Sequence, residues 1–140
     1  MSHQLNFKYL YQYQNSEKGI LLPLQLSLGE SSIVLTAKLD TGASHCIFQR
    51  GFGEALGLEI ESGIREDFKT VTGKFLAYGH EVSLIMLNYP ELHIDATVYF
   101  AADYSFRRDV VGRQGWLDRL RVAVVDYDSK LFISNYDDEY

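Results

Sequence analysis

Leu39-Asp40-Thr41-Gly42-Ala43-Ser44 sets a carboxylate directly behind the apolar run from Ile33 to Leu39. A carboxylate held at a strand end can act as a general base on water once its position and proton affinity are set. Gly42 permits a tight loop that a Cβ would obstruct. Thr41 brings a hydroxyl that can bond loop backbone or a neighbouring chain, and Ala43 leaves room for close backbone approach. Together these residues suit one carboxylate held stiffly at the mouth of a barrel. The same letters suit a plain turn, since Asp and Gly are both turn formers. Asp-Thr-Gly alone would arise by chance in roughly one or two percent of chains of this length, so the triplet leaves both readings open.

Other reactive groups are weaker candidates. Cys46 could serve as a nucleophile with His45 or His80, but a lone Cys is more often a small buried hydrophobe. His45, Cys46, His80 and His93 have spacings that match no usual zinc pattern, so packed or surface roles are expected for them, with no metal and no cofactor. Asp126, in Val124-Val125-Asp126-Tyr127, ends an apolar strand but is followed by Tyr rather than Thr or Ser; it reads as a turn residue. Trp116 reads as a core anchor.

The bulk properties narrow the class. The chain has 140 residues, enough for one domain with a real core. Net charge is −6, and the nearest approach to a basic run is Arg107-Arg108. An acidic surface repels phosphate, which disfavours a nucleic-acid partner. A single cysteine cannot form an internal disulfide. The first residues, Met1 to Gln14, lack the basic start and apolar block of a signal peptide. No stretch approaches the roughly 20 apolar residues of a membrane span. A cytoplasmic protein with no membrane association is therefore expected.

The elements around Asp40 read as strands. Residues 5 to 13 alternate, with Leu5, Phe7, Tyr9, Tyr11 and Tyr13 on one face. Residues 20 to 28 alternate with Leu22, Leu24, Leu26 and Leu28 on one face, and Pro23 marks an edge or a strand start. Gly29 to Ser32 is a turn, and residues 33 to 39 form the strand that delivers Asp40. A short helix is expected at Phe52 to Leu56, stopped by Gly57. Residues 66 to 87 suggest a long hairpin turning at Thr72-Gly73. Leu92, Ile94, Ala96, Val98 and Phe100 mark another strand. Val110-Val111 is a short apolar run before Gly112, and Gly115 to Leu120 suits a helical turn or two, with Trp116 and Leu120 sharing a face. Two strands around an Asp-Ser-Lys turn close the chain. Eight or nine strands with two brief helices predict an all-β barrel or sandwich.

Two motifs in order carry a resemblance. Leu39-Asp40-Thr41-Gly42-Ala43-Ser44, followed far downstream by Val110-Val111-Gly112-Arg113-Gln114-Gly115-Trp116-Leu117-Asp118-Arg119-Leu120, resembles the retropepsin-like aspartic proteases, and the bacterial members more than the viral ones. The likeness spans roughly residues 20 to 134. It implies a closed acid-protease barrel with one or two short helices and a flap hairpin. It divides a single domain over 1–140 into an N-terminal strand or extension (1–19), a core (20–134) and an acidic tail (135–140), expected to fray. It makes Asp40 the catalytic aspartate. Thr41 would interlock with the equivalent loop of a second chain, and Gly42 would meet substrate backbone through its carbonyl, with Ala43 supporting the loop. Val110, Val111, Gly112 and Arg113 would brace that loop. The hairpin from Thr70 through Val71, Thr72 and Gly73 to Tyr78 would be the flap.

The chain departs from the viral pattern in places. Ser44 stands where viral enzymes often carry an acidic partner for the Arg of the later motif, so Arg113 is expected to bond backbone carbonyls or Asp118. Gln114 replaces Asn or Asp, and the flap is poorer in glycine. Aspartic-protease chemistry needs two adjacent carboxyls sharing a proton, and this chain has one Asp-Thr-Gly. The second must come from a second copy across a twofold axis. Phe7 to Tyr13 and Leu131 to Ser134 are candidates for a strand seam between copies; the N-terminal extension could instead simply cover the barrel. The resemblance thus implies a homodimeric endopeptidase acting on peptide or protein segments with apolar residues at the scissile bond. The alternative is a peptide-binding or scaffold module that kept the fold without cutting.

Overall fold

Alternating apolar residues build nearly every element of the computed structural model, which describes residues 1–139; the last residue of the expected acidic tail, Tyr140, lies outside the described residues. In chain order the strands are β1 (Tyr9–Gln12), β2 (Leu21–Leu28), β3 (Ser31–Leu39), β4 (Ile47–Phe48), β5 (Ile64–Thr70), β6 (Gly73–Met86), β7 (Tyr89–Ala101), β8 (Val110–Val111), β9 (Leu120–Val125) and β10 (Lys130–Asn135). One α-helix, α1 (Arg50–Ala55), lies between β4 and β5. The expected count of eight or nine strands left out β4, a two-residue piece that periodicity cannot resolve.

The larger sheet runs β2-β3-β8-β4-β7-β6-β5, and β2 also pairs with β6. That extra pairing closes six strands into a ring, with β5 hanging from β6 as the outer arm of a hairpin. Leu22, Leu24 and Leu26 of β2 and Leu84 and Met86 of β6 are fully buried inside the ring, as are Val98 and Phe100 of β7. Burying each such side chain stabilises the fold by about 1.5–3 kcal/mol. Leu28, at the turn, is exposed. Pro23 lies opposite Thr36 of β3, just ahead of the stretch Leu24–Ser27 that β2 shares with β6, and its carbonyl accepts from the amide of Leu87 at 3.2 Å. A residue without an N–H fits there, at the start of the second ladder, where only its carbonyl is used.

Local structure departs from the sequence reading in three places. The hairpin turns at Val71-Thr72, because Gly73, at φ +142°, already pairs with Thr70 as the first residue of β6. The helix starts two residues early, at Arg50, and Gly57 at φ +88° ends it as expected. Trp116 and Leu120 do not share a helix face. Gly115 reverses the chain at φ +95°, Trp116 has non-helical angles, and only Leu117–Arg119 forms a 3-10 turn. Both side chains are nonetheless buried.

The termini meet in a second sheet, ordered β1-β10-β9. Tyr9 lies opposite Ile133 and Gln12 opposite Lys130. Within one chain the aromatic strand therefore covers the barrel: Tyr9 and Tyr11 pack on the main core and Tyr13 is buried in it. Only four of the nine alternating residues form a ladder, yet the face persists, since Phe7 still packs on Phe132 at 5.9 Å. The tail is tied down through Asp138. Arg121 donates to the carbonyls of Tyr136 (3.2 Å) and Asp138 (2.9 Å).

Candidate active site

Strand β8 lies between β3, which it meets in parallel, and β4, which it meets antiparallel. The chain leaves β3 at Leu39 and returns as β4 on the other side of β8. Residues 40–46 must therefore arch over the end of β8. The amide of Asp40 donates to the carbonyl of Val111 at 2.9 Å. From beneath, the amide of Arg113 donates to the carbonyl of Ala43 and that of Gln114 to the carbonyl of Ser44, both at 2.9 Å. Gly112 passes under the arch so closely that a Cβ would stand 2.5 Å from the carbonyl oxygens of Ala43 and His45. Val110 and Val111 point to different sides: Val111 is buried in the main core, Val110 in a smaller cluster beside the groove. The two short motifs are thus one structural unit.

The loop fixes the carboxylate. Gly42 donates its amide to Oδ1 of Asp40 at 2.9 Å, and the carbonyl of Asp40 accepts from the amide of Ala43 at 3.1 Å. A Cβ on Gly42 would stand 3.2 Å from that same Oδ1. Asp40 is half-buried, and Thr41 and Gly42 are exposed. The hydroxyl of Thr41 makes no hydrogen bond among the described residues.

Asp40 sits in the wall of a groove of about 1270 Å³. One bank is the hairpin from Phe68 to Leu76, the other the loop from Ala101 to Arg108, and Gly42, Ala43, Ser44, Ile47 and Val110 lie between. Thr70, Val71, Thr72 and Gly73 all line it. Tyr78 does not: it packs against the main core, opposite Phe100. An aromatic cluster joins the banks. Phe68 stacks on Phe75 at 5.2 Å, Phe75 meets Phe106 at 4.7 Å, and Phe68 touches the edges of Tyr99 and His45 at 5.3 and 5.2 Å. Sequence reasoning overlooked these rings. The available signal was that Phe68 and Phe75 flank the hairpin turn symmetrically and pair directly.

The loop bank hangs on Arg50. Its guanidinium donates to the carbonyl of Ala102 at 3.0 Å, pairs with Glu54 and Glu61, and lies over the ring of Tyr104. The hydrogen bond from Arg50 holds Glu61 below the usual carboxylate range. At the other end of this bank, both oxygens of Asp109 accept from Gln49, ahead of α1. Burial raises the Asp109 carboxyl, against the pull of those two bonds.

The remaining candidates disperse. Burial pushes the Cys46 thiol up to about 12, and its Sγ lies 3.5 Å from the carbonyl of Gln114. His45 bonds Ser44, His80 bonds the carbonyl of Ile60, and His93 pairs with Asp95. Asp126 lies in a 3-10 turn and accepts from the hydroxyl of Tyr13. Arg113 does not pair with Asp118, whose carboxylate instead caps the amide of Gly115 at 3.0 Å and lies 3.7 Å from Arg119. Arg113 is exposed and makes no ion pair among the described residues.

No protein-family model and no curated protein sequence matches the chain. Solved structures do. A retropepsin-like aspartic protease from Rickettsia conorii superimposes with a TM-score of 0.62 at 14% identity, over 90% of this chain and 97% of that one. EIAV protease, in complex with the inhibitor HBY-793, superimposes with a TM-score of 0.53 at 18% identity, over 71% of this chain and 86% of that one. The ring of six strands, the hairpin over a groove and the Asp40 loop arched across β8 make this the fold of the retropepsin-like aspartic proteases.

Proposed function

We propose that the protein is an aspartic endopeptidase that works as a homodimer, with one Asp40 from each chain. The observation that carries this reading is the aim of the Asp40 carboxylate. Gly42 holds one oxygen, and the group stands half-exposed in the wall of an aromatic-lined groove. The exposed Thr41, whose hydroxyl has no bond among the described residues, is free to meet the same loop of a second chain. Two carboxyls brought together in this way share one proton and titrate as a unit. The ionised member takes a proton from water, which attacks the scissile carbonyl; the protonated member donates to the carbonyl oxygen. Breakdown of the tetrahedral adduct returns a proton to the leaving amine, with no covalent intermediate. The substrate lies extended under the β5–β6 hairpin, which acts as the flap, and binds by main-chain hydrogen bonds with apolar side chains on the rings.

The test is a peptide-library digest by wild type beside Asp40→Asn, run from pH 4 to 7, with chain concentration varied. Loss of cleavage in the variant, with its fold retained by circular dichroism, is expected. Turnover per chain should rise with concentration as dimers form. Full activity in Asp40→Asn, or turnover per chain independent of concentration in a protein that sediments as a monomer, would overturn the reading.

One observation favours a second reading, a module that binds peptides without cutting. The loop lacks an ion-pair brace, because Ser44 bonds His45 and Arg113 has no carboxylate partner among the described residues. Peptide affinity without turnover, unchanged in Asp40→Asn, would favour it.

A further inference from the structure

The charges in the groove run opposite to those of the chain. Net charge overall is −6. The groove is lined by four cations, Lys69, Lys74, Arg107 and Arg108, against two carboxylates, Asp40 and Asp103. Asp103 is committed to its own loop, since its Oδ1 accepts from the amide of Ser105 at 2.8 Å. None of the four cations makes a salt bridge or side-chain hydrogen bond among the described residues, whereas Arg50, Arg119 and Arg121 each hold carboxylates or carbonyls. Their placement is also costly. Lys69 and Lys74 lie directly opposite each other on β5 and β6. Like charges in facing positions on neighbouring strands repel, and neither lysine is in a salt bridge among the described residues. Arg107 and Arg108 follow Phe106, the ring that joins the other bank to Phe75. Both banks thus carry a cation pair at the rim: Arg107 and Arg108 border the floor, while Lys69 and Lys74, one register step from Phe68 and Phe75, leave the other face of the hairpin near its tip.

We propose that Lys69, Lys74, Arg107 and Arg108 are specificity determinants that select peptides whose apolar segment is flanked by Asp or Glu. This deepens the reading of the groove as a peptide cleft and rests on it. An extended peptide alternates its side chains, so apolar residues can settle on Phe68, Phe75 and Phe106 while carboxylates meet the rim. Rim ion pairs contribute modestly, about 0.2–1 kcal/mol each, and fade as salt rises. Two or three together give about a tenfold preference at low salt.

The experiment uses two labelled peptides with one apolar core, flanked by Glu in one and Ser in the other. Cleavage by wild type gives the ratio of kcat/KM, and fluorescence anisotropy with Asp40→Asn gives the ratio of Kd without any need for turnover. A ratio near ten at low salt that falls toward one at high salt is expected. It should shrink in Lys69→Gln/Lys74→Gln and in Arg107→Gln/Arg108→Gln, but not in Lys18→Gln. Both peptides cut equally well would overturn the proposal and leave the protease reading standing. Selective binding of the Glu peptide without cleavage would overturn the protease reading and keep the proposal. Rim variants that alter sedimentation while leaving the ratio intact would assign the cations to contact between chains, and would also overturn it.

Discussion

Gly112 and Ala43 pack so tightly that the carbonyl oxygen of Ala43 occupies the space of any side chain at position 112. The neighbour at 2.5 Å is backbone, held by the amide of Arg113, and cannot swing aside as a flexible side chain would. Gly112→Ala should therefore cost about 3 kcal/mol or more, at the upper end of overpacking effects, from a total near 5–15 kcal/mol. Urea denaturation measures this. A loss below about 1 kcal/mol would show that the arch can lift off β8 freely, and the rigid placement of Asp40 would then lack its cause.

The contrast between what was legible and what was not follows from chain distance. Asp40-Thr41-Gly42 and Val110-Val111-Gly112 are contiguous, and each needs small or apolar residues for local reasons, so both stood out. The aromatic floor draws Phe68, Phe75, Tyr99 and Phe106 from the hairpin, a strand and a loop. No single window shows it. The N-terminal strand was readable as a face, not as a ladder: the ladder stops at Tyr9, since the amide of Lys8 donates to the hydroxyl of Ser134, while the packing of Phe7 continues. Trp116 was readable as buried, but Gly115 decided its backbone, through a positive φ that helical spacing cannot reveal.

Arg50 ties the loop bank of the groove to α1 through a single carbonyl, that of Ala102. Its two glutamates are well solvated, so the loss on removal comes mainly from that bond and from packing on Tyr104. Arg50→Ala should cost about 1–2 kcal/mol overall. Its sharper effect is local: amides of residues 102–106 should exchange hydrogen faster while those of β7 keep their protection. Uniform loss of protection across the barrel would mean that Arg50 supports the whole fold rather than the bank.

Asp109 gives the fold a dependence on acid opposite to that of a salt-bridged carboxylate. Burial raises its carboxyl in the folded state above the ordinary 3.8. The folded chain then binds more protons than the unfolded chain above that value. Its contribution is greatest below the unfolded pKa and is lost as pH rises through the folded one. Asp109→Asn removes this dependence and keeps a carbonyl for the amide of Gln49. Thermal melts should show wild type gaining on the variant as pH falls from 7 toward 4. A gap that widens in the other direction would mean the charged form is the one the site favours.

Tyr13 supplies the corresponding alkaline marker. Burial and the bond to Asp126 push its hydroxyl up to about 12, from an ordinary 10. Between those values the unfolded chain loses a proton that the folded chain keeps. Stability from this group is whole below pH 10 and is lost as pH climbs toward 12. Tyr13→Phe should be less stable than wild type at pH 8, because the tie between the N-terminal strand and the β9–β10 turn is gone. The two melting curves should converge as pH passes 10, since only wild type carries the ionising group. A constant gap from pH 8 to 11 would show that Tyr13 titrates alike in both states, and that the terminal sheet is not closed over it.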